Sequence, residues 1–272
     1  MINLRSLRIL GYLPAGLIVT WEIEETSEDL SDFTFTVMRS GGPEGPFEPV
    51  SPPLQNTNTF FDQTGSQSER RRRFYYKIKV NKIEPPTKEN LQPTDGVTLV
   101  APPDLIATEL AFRKDLELSV HGGRRIVIFP SKNSGQRCAC FDGTRGRATR
   151  SECPTCFGSQ FAGGFWKPIS VYARITESSP SSGPAPSGKS GMLEIGAYPL
   201  LSKGDLIVEA EGNRWRIPGY DAITVQKYNR SPFRQTAGMA EVHPSAVEYS
   251  IPVDFANIES APYWRFVKDM DI

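Results

Sequence analysis

At 272 residues the chain exceeds the usual single-domain length, so two or three domains are expected. Apolar residues make up 38%, and Gly and Pro number 23 each, which suits small turn-rich β domains better than one large helical core. Lys plus Arg equals Asp plus Glu at 31 each, so no net field draws the chain to nucleic acid or anionic lipid. No apolar run reaches the ~18 residues of a membrane helix.

The opening stretch, Met1 to Gly16, is interrupted by Arg5, Arg8 and Pro14. It lacks the long apolar region of a secretion signal and reads as a first strand. A reducing cytoplasm is then the expected place of synthesis, and there close cysteines favour a metal over disulfides. Leu7, Ile9 and Leu10 open that strand, and Leu17, Val19, Trp21 and Ile23 alternate at period two, as on a half-buried strand. Phe33, Phe35 and Val37 alternate again before the turn Ser40-Gly41-Gly42-Pro43. Phe60-Phe61-Asp62 forms another strand. Phe74, Tyr76, Ile78 and Val80 then face inward on a further one.

These segments, LIVTWEI, DFTFTVMRSGGPEGPFEPV, TFFDQT and FYYKIKVN, resemble a fibronectin type III domain over residues 1–98. The resemblance implies a β-sandwich with Trp21 buried and Tyr76 on the tyrosine-bearing strand. The run Glu69 to Arg73 departs from the family pattern, because a short loop belongs there. Leu91 to Gly96 reads as a linker. Asp104 is placed to cap a helix ending at about residue 121, since Leu105, Ile106, Leu110, Ala111, Leu116 and Leu118 follow helical spacing. Arg124 to Phe129 is a buried strand leading into the cysteines.

Cys138-Ala139-Cys140 and Cys153-Pro154-Thr155-Cys156 form the strongest chemical pattern. Zinc takes four thiolates at tetrahedral vertices, and two close pairs supply them. Pro154 pre-sets the second turn, and Gly158 permits the backbone that follows. The segment between the pairs, FDGTRGRATRSE, has almost no core of its own, so the metal would supply its folding free energy. Two disulfides or a redox Cys-x-x-Cys are the competing readings. The first lacks a secretion signal, and the second lacks its βαβ setting. Four thiolates also leave no open position for catalysis, which makes the expected zinc structural. CPTCFGSQF further resembles the cysteine repeats of DnaJ-type chaperones, but only as local turn chemistry.

From Ala111 to Ile169, and again over RSPFRQTAGMAEVHPSAVEYSIPV, the chain resembles a family of tailed-phage virion proteins. The shared order is a strand, a cysteine pair, a basic hairpin, Cys-Pro-x-Cys-[Phe/Tyr]-Gly and a Gly-Gly-aromatic strand. The resemblance implies a structural protein at the neck, or head–tail junction, assembled in the host cytoplasm. It also implies other connector proteins, and copies of the same chain, as partners.

Residues 166–272 read as a small β-barrel or curled sheet. Ile169, Val171, Ala173 and Ile175 share a strand face. A Ser/Pro/Gly loop from Ser178 to Ser190 follows, and then short strands at Leu206–Glu209, Trp215–Ile217 and Ile223–Val225. The expected layout is a mainly β chain with one short helix: a sandwich over 1–98, helix, strand and zinc hairpin over 99–165, and the small β domain over 166–272.

His121 and His243 are the only histidines, and neither stands beside a nucleophile motif. No phosphate loop is present, so no enzyme is expected. Partner contacts are expected at Arg145, Arg147 and Arg150, and at Tyr263, Trp264 and Phe266 near the C-terminus, where core packing within the same subunit is the alternative reading. The arginines, like the run Arg70 to Arg73, suit protein partners better than DNA, because no aromatic residues interleave them. Two rival readings are a carbohydrate-binding surface adhesin and a zinc-ribbon nucleic-acid binder.

Overall fold

The computed structural model describes residues 2–12, 16–62, 74–83, 90–92, 105–150, 152–178, 189–229 and 231–260. Tyr263, Trp264, Phe266, the run Arg70 to Arg73, Asp104 and most of the Ser/Pro/Gly loop lie outside them. The chain is mainly β, with one α-helix among the described residues. It divides into two compact units, Met1–Leu105 with Asn133–Ala139, and Ile106–Lys132 with Cys140–Ile272. No described helix is long and apolar enough to cross a membrane.

The first unit holds β1 (Leu4–Tyr12), β2 (Gly16–Ile23), β3 (Phe33–Ser40), β4 (Glu48–Pro49), β5 (Thr59–Asp62), β6 (Tyr75–Lys82) and β7 (Asn90–Gln92). Two antiparallel sheets form, in the orders β1-β2-β5 and β4-β3-β6-β7. Alternation decides the core: Val19, Trp21 and Ile23 of β2, Phe33, Phe35 and Val37 of β3, and Tyr76, Ile78 and Val80 of β6 are all buried. Each such side chain contributes roughly 1.5–3 kcal/mol by leaving water. The rings of Trp21 and Phe35 meet at 5.8 Å across the two sheets. Asp62, fully buried at the end of β5, accepts hydrogen bonds from Tyr76 Oη and Arg39 Nη1, each at 2.8 Å. Burial, and then the Asp62 charge, push the Tyr76 phenol well above its ordinary pKa. Phe74, expected to face inward, stands just before β6, half-buried beneath the Arg39 guanidinium.

A short returning segment completes this unit. Ser134 Oγ accepts the Ile23 N–H at 3.5 Å, and Gln136 bridges Thr26. Arg137 pairs with Glu25 at 3.1 Å. Gly135 at φ +102° leaves space that Leu30 fills, since a Cβ there would stand 2.5 Å from Leu30 Cδ1.

In the second unit, α1 (Leu105–Leu116) continues as a π-helical turn over Glu117–Gly122. After β8 (Arg124–Phe129) come the paired two-residue strands β9 (Phe141–Asp142) and β10 (Arg147–Ala148). Then follow β11 (Ile169–Ser178), β12 (Ser190–Ile195), β13 (Leu206–Glu209), β14 (Arg214–Arg216), β15 (Ile223–Tyr228) and β16 (Ser231–Glu241). The large sheet runs β12-β11-β8-β13-β14-β16-β15, and β16 also pairs with β12. Six strands therefore close into a barrel, with β15 added outside along β16. The length of β16 makes closure possible, because Gln235–Ala240 meets β12 while Ala240 and Glu241 meet β14.

Inside the barrel lie Ile126, Ile128, Val171, Ala173, Leu193, Ile195, Ile207, Trp215, Ala237 and Met239. Strands β8 and β13 are buried on their other face too. Val127, Phe129, Leu206 and Val208 pack with Phe165 and Val242, and Phe157, Tyr249, Ile251, Val253, Phe255 and Ile258 cover them. Two-sided burial explains why RRIVIF and LIVE read as continuous apolar runs. Arg124–Phe129, grouped by the sequence reading with the hairpin, is thus a barrel stave.

Four buried polar groups have specific support. Gln235 fixes the loop before Leu201 by accepting the Leu201 N–H at 2.9 Å and donating to the Ala197 and Pro199 carbonyls. Glu209, fully buried, accepts the Trp215 indole N–H at 2.5 Å and faces Arg124 at 3.2 Å. Asp205 accepts the backbone N–H groups of Ser131 at 2.8 Å and Ser202 at 2.7 Å. Glu194 sits among Lys114 of α1, Arg174 of β11 and Arg234 of β16, and so ties the helix to the barrel wall.

Candidate metal centre

The four cysteine sulfurs lie within 4.8 Å of one another, and Cys138, Cys153 and Cys156 are buried while Cys140 is half-exposed. No disulfide joins any pair: the Cys140 and Cys156 sulfurs stand 3.5 Å apart, against ~2 Å for a disulfide. A tetrahedral ion with 2.3 Å bonds to sulfur needs its four thiolates about 3.8 Å from each other. With all four sulfurs inside 4.8 Å and one pair at 3.5 Å, the cluster is close enough for a single ion to join them. Four soft donors with no oxygen or nitrogen among them suit a thiophilic divalent ion.

Local backbone chemistry explains how the sequence reaches this geometry. The Phe157 N–H closes onto the Cys153 carbonyl at 2.8 Å, and the Ser159 N–H onto that of Cys156 at 2.9 Å. Phe157, Gly158 and Gln160 all hold positive φ, at 48°, 82° and 72°. This winding turns the Gly158 and Gln160 N–H groups toward the Cys156 sulfur, where both favour the thiolate. Burial pushes the Cys156 thiol up, and the hydrogen bonds from Cys140, Gln160 and Gly158 oppose it. An ion at the centre would supply the opposing charge that a buried thiolate requires. Gly158 does the work that the sequence assigns to it.

The first pair is fixed differently. The Cys140 carbonyl accepts from the Thr149 N–H at 2.8 Å and from the Thr149 hydroxyl at 3.0 Å, which closes the base of the β9–β10 hairpin directly on a cysteine. At the tip, Asp142 Oδ1 accepts the N–H groups of Thr144 and Arg145, and Gly146 takes φ +62°. Arg145, Arg147 and Arg150 are exposed on this hairpin. Phe161, Phe165 and Trp166 are buried, in accord with a packing role.

Two supporting residues escape sequence reading. Arg216 of β14 donates to the Phe157 carbonyl, stacks 5.9 Å over Phe165 and pairs with Glu248 at 2.8 Å. Burial lowers its pKa, while the charges of Glu248, Cys156 and Asp205 hold it up. Lys132 donates to the Ala162 carbonyl at 3.0 Å and lies 5.0 Å over Trp166. The only trace either leaves in sequence is a cation inside an apolar strand or at its end, which by itself names no partner. His121 and His243 are both exposed, and the His243 ring nitrogen Nδ1 lies 2.7 Å from the hydroxyl of its neighbour Ser245. The chain matches no protein-family model and no curated protein.

Proposed function

We propose that Cys138, Cys140, Cys153 and Cys156 bind one structural zinc ion, and that the chain is a non-enzymatic structural protein of a tailed-phage neck. The observation that carries the zinc reading is the cluster itself: four thiols, none in a disulfide, gathered within 4.8 Å of one another. Four thiolates fill that coordination sphere, so the ion would hold backbone in place and would not activate water. Paired N–H donors on the Cys156 sulfur favour its thiolate form and so support the same reading.

The virion role rests on the resemblance over Ala111 to Ile169 and Arg230 to Val253. In support, outside Asn133–Ala139 those segments supply connected parts of one unit: β8, the β9–β10 hairpin, the knuckle, the start of β11, and β16 with the tail that covers β8 and β13. The fibronectin type III likeness of residues 1–98 is likewise a proposal. The three-plus-four sheet order, with Trp21 and Tyr76 in the core, supports it. Those two aromatic residues face inward, so they offer no platform to a carbohydrate. In this reading the layout is a sandwich, a zinc hairpin and a small barrel, present in several copies around the connector and bound to its neighbouring proteins.

Electron microscopy of purified source particles tests the assignment. Density for the chain in the head–tail junction is expected; its absence from the particle, or a position on a tail fibre, overturns the reading.

A further inference from the structure

The β9–β10 hairpin presents three guanidiniums in a setting that metal binding would brace. Arg145, Arg147 and Arg150 are exposed, and the only ion pair formed by any of them among the described residues is Arg145 with Asp142 at 3.6 Å. Exposed pairs of that kind contribute little, so all three heads are available to a partner. Their placement is nonetheless fixed. Two strand pairs, Arg147 with Asp142 and Ala148 with Phe141, set the ribbon, and both bonds from Thr149 anchor its base to the Cys140 carbonyl. Asp142 holds the turn. An unbraced loop would lose side-chain and backbone entropy on binding, whereas this ribbon has already lost much of it.

We infer that this hairpin is a docking surface for a carboxylate-rich protein segment. Guanidinium forks match carboxylates in bidentate geometry, and three of them on one short ribbon can grip successive acidic side chains. A nucleic-acid backbone is a poorer match. It favours a long positive track with several stacking rings, whereas here Asp142 and Glu152 flank the arginines and the ribbon carries a single aromatic residue, the half-buried Phe141. The inference rests on the zinc reading only for the bracing of the ribbon, and not on the virion assignment.

The test uses the full chain with its metal content measured in parallel. The probes are a fluorescent peptide of alternating Asp/Glu and Gly, and a duplex oligonucleotide of equal charge, each titrated at low and physiological salt. The acidic peptide should bind, and R145A/R147A/R150A should weaken it at least tenfold with its metal content and circular dichroism unchanged. The matching triple Lys variant should recover only part of the loss, since it keeps charge but not the fork. Removing the metal with a chelator should weaken peptide binding if the ribbon is braced as described. A protein with its full metal content that fails to bind the peptide, or that binds it equally well without the three arginines, overturns the inference. Tighter binding to the duplex, lost in the same variant, overturns it in favour of a nucleic-acid surface.

Discussion

Two aspartates in the second unit share a raised pKa of about 7 for the same first cause, burial, yet their surroundings differ. Asp205 accepts two backbone N–H groups, one on each oxygen. Asp115 has a sealed Oδ2 with no donor, and its Oδ1 occupies the space where a Cβ on Gly196 would stand. Only Lys114 offsets its burial. A folded-state pKa of about 7, against 3.8 ordinarily, means that Asp115 costs nothing below pH ~4, and that stability falls as pH rises toward 7. Asp115→Asn should therefore stabilise the protein at pH 8, by on the order of 1–2 kcal/mol, and leave it unchanged near pH 4. Asp205→Asn should destabilise it near pH 4 by about 1–3 kcal/mol, because an amide nitrogen would confront a backbone N–H, and that loss should shrink toward pH 8, where the substitution also removes a buried charge. Thermal melts at the two pH values check both. A like response of the two variants would refute the hydrogen-bond account.

At the scale of elements, the knuckle and the hairpin are where backbone conformation decides chemistry. Gly164 sits at φ +68°, and a Cβ there would stand 3.0 Å from the Cys156 carbonyl oxygen and 2.6 Å from the Phe157 ring. Both neighbours belong to the turn that aims Cys156. Gly164→Ala should cost about 2 kcal/mol and weaken metal retention, measured by competition with a chromogenic chelator. Gly143→Ala meets nothing within 4 Å and serves as the control. Most of these elements are legible in the sequence. The cysteine pairs, the turn at Gly158 and the helix ending near 121 follow from spacing, and β13 spans Leu206–Glu209 as its apolar run implies. Strands β12 and β16 are not legible. Ser190–Ile195 and Ser231–Glu241 carry Gly, Ala and Gln where strand patterns call for branched side chains: Gly191 leaves room for the Trp215 ring and Met239, and Gln235 is buried to hold the loop before Leu201.

For the whole molecule, a sequence can announce strands but not their partners. RRIVIF reads plainly as a buried strand, yet its neighbours β11 and β13 come from beyond the cysteines, and the bonds between strands β12 and β16 that close the barrel join segments still further apart. The same holds for Arg216, which reaches the knuckle only because the barrel brings β14 beside it. The cysteine cluster is the exception: each pair is local, and chemistry alone says what should join them. Each unit has a buried core of its own, with Trp21 in one and Trp215 in the other. Metal loss should therefore loosen the knuckle and hairpin while leaving most β structure intact.

The most direct measurement is the zinc content of the purified chain by elemental mass spectrometry, read together with native and denatured protein mass before and after a strong chelator. One zinc per chain is predicted, held by four reduced cysteines, with the hairpin amides losing hydrogen-exchange protection once it is removed. A metal-free protein carrying two disulfides, or a chelated protein whose hairpin stays fully protected, would contradict the account.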